Sequence, residues 1–173
     1  METEGTVGID PGKMGAIALL LGPSLAFLDM PLDLEGAWDP WAMRHMAMEW
    51  VRWGYKRVAI EECHAFPGIS AGANASVMEA YGMWRSALAV FPRSQVFIIP
   101  ANQWKKAMQV EFPLVKAGKK ATAAEKKAAY DGRKQAALLR ARAEFGLPFR
   151  TPKGRDLDGE AEAALIALYG SRL

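Results

Sequence analysis

The chain has 173 residues, of which 51% are hydrophobic and 24% charged, and its net charge is +3. This composition is typical of a globular protein, and one cysteine with two histidines excludes a disulfide framework and a histidine-rich metal centre. The length predicts a single domain over residues 1–173, and the opening residues lack the features of a secretion signal, which favours a soluble cytoplasmic protein without a membrane partner.

Three apolar segments near the start of the chain predict an antiparallel meander, because only short turns separate them. They span residues 6–10, 15–21 and 25–29. Asp39 and Pro40 then have the residue types of a helix N-cap and first helical position, and Gly54 closes that helix. A further strand follows over residues 57–62.

The rest of the chain predicts alternating helices and strands. Residues 66–75 are rich in Gly, Ala and Pro and predict a loop, after which Ser76 and Glu79 have the spacing of a capping box. The remaining elements are a strand over 95–99, a short helix over 102–109, a basic loop over 113–120, and helices over 122–145 and 157–169. A meander followed by this alternation predicts an α/β fold, with a mixed sheet and helices on its faces.

The charge is distributed unevenly along the chain. Residues 1–99 hold 7 Lys and Arg against 11 Asp and Glu, a net charge of −4, whereas residues 100–173 hold 15 against 8, a net charge of +7. Such asymmetry indicates a polyanionic partner for the second half, although a solvated helix face would have the same composition.

Acidic residues lie at the ends of predicted strands and at the start of the last helix. They are Asp10 after the first strand, Glu61 and Glu62 at the end of the fourth, and Asp156, Asp158, Glu160 and Glu162 at the helix. If the first and fourth strands are neighbours, Asp10 and Glu61 meet at one edge of the sheet. A spacing of four places Asp158 and Glu162 on one helix face, and Asp156 and Glu160 likewise.

Carboxylates gathered at one point raise each other's pKa, and a divalent cation relieves their repulsion. Oxygen ligands with few histidines favour Mg²⁺ or Mn²⁺ over zinc. Structural explanations exist for each group alone. Asp10 before Pro11 and Gly12 is also a turn sequence, acidic residues in a first helical turn complement the helix dipole, and Glu61 or Glu62 could be a solvated strand end.

The ordered set of motifs resembles the RuvC-type Holliday junction resolvases, and their phage-encoded branch in particular. The motifs are GIDPG at 8–12, AIEE at 59–62 and DGEAEAALIA at 158–167, with PG at 67–68, YGMW at 81–84 and PANQWKK at 100–106. The resemblance implies an RNase H-like five-stranded sheet and a two-fold symmetric homodimer. It also implies hydrolysis of Holliday junctions and branched DNA to 5′-phosphate and 3′-hydroxyl ends, with two Mg²⁺ (or Mn²⁺) ions per site and no organic cofactor.

The resemblance also implies which residues act. Carried over by position, the catalytic metal ligands are Asp10, Glu61, Asp158 and Glu162, with Glu62, Asp156 and Glu160 as alternates. The last pair departs from the bacterial pattern, which has two aspartates spaced by three, since here an Asp and a Glu are spaced by four.

Basic residues after the fifth strand are the predicted phosphate contacts, because they follow the edge where the carboxylates should lie. They are Lys105, Lys106, Lys116, Lys119 and Lys120. Phe66, in a Gly-rich stretch, is a predicted stacking residue for an unpaired base at the junction. The alternatives are an exposed basic loop that only keeps the protein soluble, and a Phe66 folded onto the core.

Three other functions are alternatives to a junction resolvase. An ATPase related to sugar kinases or actin would use GIDPGK at 8–13 as a phosphate loop, but 173 residues are too few for the two domains such proteins need. A non-catalytic DNA-binding module would have no need of all four carboxylates. A less selective flap or branch nuclease differs only in substrate preference.

Overall fold

The structure, a computed structural model, describes residues 4–65, 70–110 and 122–173. Within these ranges the strands are β1 (Gly5–Ile9), β2 (Ile17–Leu21), β3 (Ser24–Leu28), β4 (Tyr55–Glu62) and β5 (Val96–Pro100). The helices are α1 (Pro40–Arg52), α2 (Ala71–Ala87), α3 (Ala101–Ala107), α4 (Ala123–Phe145) and α5 (Asp158–Gly170).

The strands form one mixed sheet in the order β3-β2-β1-β4-β5. β1, β2 and β3 pair antiparallel, as the short turns predict, and β4 pairs in parallel with both β1 and β5. The predicted α/β fold with a mixed five-stranded sheet is therefore confirmed. The central position of β1 and β4 brings their carboxyl ends together at one edge of the sheet.

Each face of the sheet is covered by its own hydrophobic layer. Alternate residues of β1 divide between the two faces, with Val7 and Ile9 in the layer that α1 and α2 cover. On the other face β1 presents Gly8, and a Cβ built on Gly8 would meet the backbone of α5. The same face of the sheet carries Ala59 of β4 and the buried alanines of α4 and α5. Helices thus lie on both faces, as predicted.

One of the two predicted helix caps is observed, and α4 has a further cap that was not predicted. The Asp39 carboxylate accepts hydrogen bonds from the first turn of α1, and Thr122 and Glu125 form a capping box at α4. The predicted capping box of Ser76 and Glu79 is wrong.

Helix α2 begins earlier than predicted. It starts at Ala71, where Ser70 is the N-cap, so residues 71–75 are helical rather than a loop. Ser76 lies inside the helix, and its hydroxyl accepts a hydrogen bond from Trp38 Nε1 at 3.4 Å. Burial of Tyr81 and Trp84 in the hydrophobic layer shared with α1 anchors the helix, and tertiary packing of this kind overrides the weak propensities of its Gly-containing first turn.

No helix in the part of the chain that the structure describes is both long and apolar enough to cross a bilayer.

Candidate active site

Asp10 and Glu61 lie side by side at the carboxyl ends of neighbouring strands. Ile9 of β1 pairs in register with Ile60 of β4, so the next residue of each strand is an acid. Side chains two residues apart in an extended chain point to the same face. Asp10 therefore shares the face of Gly8, and Glu61 shares the face of Ala59. Both carboxylates are directed to the face covered by α5. The predicted proximity of Asp10 and Glu61 at one edge of the sheet is therefore observed.

Glu162 of α5 and Lys105 of α3 complete the group. Lys105 Nζ lies 3.5 Å from Glu162 Oε1 and 3.8 Å from Glu61 Oε2, so one ammonium is shared between two carboxylates. All three side chains are mostly buried, with 19–20% of their surface exposed. The chain thus brings acids from β1, β4 and α5 around a single cation.

The electrostatics of this group favour protonation of its acids. Burial raises the pKa of Asp10 well above its ordinary 3.8, and the charges of Glu162 and Glu61 raise it further, while Lys105 and the backbone N–H of Gly12 lower it. Burial likewise raises the pKa of Glu162, where Lys105 opposes the charges of Glu61 and Asp158. Despite the nearby lysine, the charged forms of both acids are therefore disfavoured, chiefly by the loss of solvent around them.

Trp104 holds the carboxylate of Glu61 in place. The indole Nε1 donates a hydrogen bond of 2.7 Å to Glu61 Oε2, and the ring is fully buried in the core beneath the site. Lys105 Nζ lies 4.8 Å from the centroid of the same ring. Trp104 therefore orients both the acid and the cation, by a charge-assisted hydrogen bond and a cation–π contact.

Replacing Trp104 by Phe is expected to remove the hydrogen bond to Glu61 while keeping an aromatic ring in the core. The free energy of unfolding should fall by about 2 kcal/mol, because a hydrogen bond to a charged group is lost. Chemical denaturation measures this loss. Trp50→Phe is the matched control, because the buried Nε1 of Trp50 has no partner among the described residues. An equal loss in both variants would contradict a special role for Trp104.

Asp158 begins α5 on the same helix face as Glu162 and is near enough for its charge to raise the pKa of Glu162. Its carboxylate forms an ion pair with Lys134 of α4. The predicted pairing of Asp158 and Glu162 on one face is thus observed, and each of the two acids has a lysine from a different helix.

The alternate acids lie elsewhere. Glu62 follows Glu61 in β4 and faces the opposite side of the sheet, where it lies 3.3 Å from His64 Nε2. Glu160 lies on another side of α5, where burial raises its pKa and the charge of Asp29 raises it further. Neither residue joins the group around Lys105.

Asp156 is held by a separate cluster of basic residues. Its carboxylate accepts hydrogen bonds from Arg142 at 2.6 Å, Arg150 at 2.8 Å and Gln135 at 3.2 Å. Hydrogen bonds from Arg150 and Gln135 lower its pKa to about 2. The residue therefore joins α4 to the segment that leads into α5, and does not face Asp10.

Asp156→Asn is expected to lower the thermal stability of the protein at pH 7. An acid whose pKa is lowered by folding stabilises the protein above its unfolded pKa of about 3.9, and this contribution is lost as the pH falls towards 2. The gap in melting temperature between wild type and variant should therefore close below pH 4. Thermal melts across this range measure it, with Glu35→Gln at an exposed acid as the charge-matched control. A gap that stays constant with pH would contradict the role of the charge.

The predicted DNA contacts divide into three groups. Lys105 points into the acidic group, whereas its neighbour Lys106 is exposed on α3. Lys116, Lys119, Lys120 and Phe66 lie outside the described residues.

Within residues 4–65, 70–110 and 122–173, no three His, Cys, Asp or Glu side chains converge closely enough to hold a metal ion as they stand. The chemistry of the group nevertheless fits a divalent cation. All its acidic groups are carboxylates, and the pKa values of Asp10 and Glu162 are raised first by burial and then by the neighbouring acids, so that a bound cation would stabilise their charged forms.

The single thiol near the group is not suited to nucleophilic chemistry. Burial and the charges of Glu61, Asp10 and Glu62 raise the pKa of Cys63 to about 12, which keeps it protonated at neutral pH. Hydrolysis by an activated water is the chemistry that a group of buried carboxylates can support.

Sequence reasoning missed the orienting role of Trp104 and the pairing of Lys134 with Asp158. Trp104 could have been suspected, because it is an aromatic residue directly before Lys105, just after a strand that ends at the acidic edge. Lys134 lies four residues before the buried Leu138 and therefore on the inner side of α4. No local pattern identifies its partner.

Comparison with known proteins gave matches among solved structures alone. No family model and no curated protein matches the chain. A structure of T. thermophilus RuvC in complex with a Holliday junction substrate superposes with a TM-score of 0.57 at 18% identity, covering 95% of this chain and 90% of that one. A second Thermus thermophilus RuvC structure gives a TM-score of 0.53 at 18% identity, covering 95% and 91%. The chain therefore has a RuvC-like fold.

Proposed function

We propose that this protein is a divalent-metal-dependent endonuclease that cuts Holliday junctions and other branched DNA. The observation that carries the proposal is that Asp10, Glu61 and Glu162 lie near one another at one edge of the sheet, close enough for the charges of Glu61 and Glu162 to raise the pKa of Asp10. These acids come from three parts of the chain far apart in sequence, and partial burial raises the pKa of two of them, Asp10 and Glu162. A purely structural role would not bring uncompensated acids together, because their repulsion lowers stability.

Four carboxylates would hold the metal: Asp10, Glu61, Asp158 and Glu162. When bound, Mg²⁺ or Mn²⁺ would supply Lewis-acid stabilisation of the reacting phosphate and lower the pKa of a bound water. Asp10 presents its carboxylate from the end of β1, the central strand of the sheet. Trp104 fixes the position of Glu61, and the two α5 acids stand one helical turn apart. The family resemblance supports two ions per site and products with 5′-phosphate and 3′-hydroxyl ends.

The choice of DNA as substrate is supported by the fold and by charge. One of the similar structures is a RuvC bound to a Holliday junction, and residues 100–173 of this chain carry a net charge of +7. Lys106 is exposed on α3, directly after Lys105 in the sequence, and is a proposed phosphate contact. A two-fold symmetric homodimer belongs to the proposal, since symmetric cutting of a junction needs two active sites. Action in a bacterial cytoplasm, and kinship with the phage-encoded branch, rest on the sequence resemblance.

The proposal is tested by comparing a four-way junction, a Y-fork and a linear duplex built from the same arm sequences. With Mg²⁺, we expect paired nicks in the junction that ligase can seal, and none in the duplex. Omission of the metal with EDTA is the control. Equal cutting of the fork and the junction would identify a general branch nuclease. Binding of the junction without cutting in either Mg²⁺ or Mn²⁺ would leave a non-catalytic DNA-binding protein, and would overturn the proposal.

A further inference from the structure

A lysine of α4 forms an ion pair with an acid at the start of α5. Lys134 forms an ion pair with Asp158, and the two side chains are only 32% and 31% exposed. This differs from the usual surface pair, because both residues lie where two packed helices meet. The pair therefore has a defined geometry set by the fold.

Packing between α4 and α5 explains why Lys134 reaches Asp158. Ala137, Leu138 and Ala141 of α4 are buried in the layer that includes α5. Lys134 precedes these residues by one and two helical turns, and so it lies on the same face of α4. At the far end of the same contact, Glu144 of α4 accepts a hydrogen bond from Arg172, just after α5. The start of α5 therefore lies beside Lys134.

The acids of α5 are thus divided between two lysines. Lys105 of α3 lies 3.5 Å from Glu162, and Lys134 pairs with Asp158. Each ammonium is paired with an acid that is a proposed metal ligand. A divalent cation and a lysine are alternative partners for the same carboxylate oxygens, because each supplies the positive charge that the oxygens need.

We propose that Lys134 is a built-in counter-ion that competes with the divalent cation for Asp158. The proposal rests on the proposed function, since it takes Asp158 as a metal ligand. Metal binding then requires the ion pair to break, and the pair weakens the affinity for the ion. Loss of Lys134 frees Asp158 for the metal and tightens its binding.

The experiment is a calorimetric titration of the metal-free full-length protein with Mn²⁺, without DNA. We expect Lys134→Met to lower the dissociation constant of Mn²⁺ by about fivefold, the equivalent of a weak to moderate ion pair. Lys134→Arg keeps a cation at this position and should stay closer to wild type. Lys106→Met removes an exposed positive charge from α3. It controls for the non-specific effect of one lost charge on Mn²⁺ binding, and its effect on the dissociation constant should be smaller.

A double-mutant cycle makes the test specific to the pair. In the Asp158→Asn background, Lys134→Met should no longer change the affinity, because the competing acid is absent. Thermal melts of each metal-free variant establish that it is folded, and Lys134→Gln replaces the Met variant if that one is not. Equal affinity in wild type and all Lys134 variants would overturn the inference. A wild-type protein that binds no Mn²⁺ would instead overturn the proposed metal site.

Discussion

Replacement of Asp10 by Asn is expected to reduce cleavage of four-way junctions by at least about 100-fold while the protein stays folded. Asp10 directly follows β1, the central strand of the sheet, and lies close enough to Glu61 and Glu162 for their charges to raise its pKa. An amide has nearly the same shape as the carboxylate but lacks its negative charge. The variant therefore tests the charge rather than the packing. Cleavage rates under single-turnover conditions with Mg²⁺ measure the effect.

The same variant should be more stable than wild type when the metal is absent. Folding raises the pKa of Asp10 above 3.8, so the charged form is disfavoured in the folded protein. Such an acid stabilises the fold fully below its unfolded pKa, and that contribution is lost as the pH rises through its folded pKa. At neutral pH, Asp10→Asn removes a charge that desolvation and the neighbouring acids disfavour. Its melting temperature should exceed that of wild type at pH 7 and approach it near pH 4.

Glu160→Gln is the matched control for Asp10→Asn. Glu160 is also an acid whose pKa burial raises, but it lies near Asp29 and outside the group around Lys105. Its replacement removes the same charge and should leave the rate of junction cleavage within about twofold of wild type. Wild-type cleavage by Asp10→Asn would refute the proposed site. Loss of cleavage in both variants would point to the total acidity of the region rather than to Asp10.

The sheet and the position of Asp10 beside Glu61 could be predicted because both depend on local patterns. Short turns between β1, β2 and β3 leave little choice but an antiparallel meander. The choice between Glu61 and Glu62 is also contained in the sequence, since side chains alternate along a strand. Val58 and Ile60 face the core beneath α1 and α2, and so Glu61 has to face the other way.

Contacts between distant helices could not be predicted in the same way. The second half of the chain holds 15 Lys and Arg residues, and nothing local distinguishes Lys134 from the others as the partner of Asp158. The hydrogen bond from Trp104 to Glu61 joins residues 43 apart. The hydrogen bonds to Asp156 are similar, because Arg142 belongs to α4 and Arg150 to the segment between α4 and α5. These pairings depend on how α3, α4 and α5 pack, which hydrophobic periodicity alone does not specify.

The start of α2 shows that a capping-box motif alone does not locate the N-terminus of a helix. Ser76 and Glu79 match the capping-box spacing, yet both lie inside the helix. The true cap, Ser70, precedes a first turn that contains Gly72, whose poor helix propensity argues against a helix there. Stacking of Trp84 on Trp50, with ring centroids 5.7 Å apart, is an anchor between α2 and α1 that a propensity argument does not include.

The close approach of α5 to β1 depends on the absence of a side chain at Gly8. A Cβ built at this position would lie 2.2 Å from the carbonyl oxygen of Ala163 and 2.4 Å from the amide nitrogen of Ala167. Both atoms belong to the backbone of α5, so no side-chain rotation relieves the clash. The helix would have to move away from the sheet, and Glu162 is the residue directly before Ala163. Packing at Gly8 therefore sets the distance of Glu162 from Asp10 and Glu61.

Gly8→Ala is accordingly expected to lower the free energy of unfolding by about 3 kcal/mol or more, since overpacking against a backbone is among the costliest small substitutions. Gly132→Ala is the control, because Gly132 lies in α4 with no atom within 4 Å of an added Cβ. There the same change should stabilise the protein by about 0.5–1 kcal/mol through helix propensity. Urea denaturation of both variants measures the contrast. Any Gly8→Ala protein that remains folded should also cut junctions more slowly, because displacement of α5 from the sheet would move Glu162 away from Asp10 and Glu61. Equal stability of the two variants would mean that α5 does not pack against β1 as closely as described.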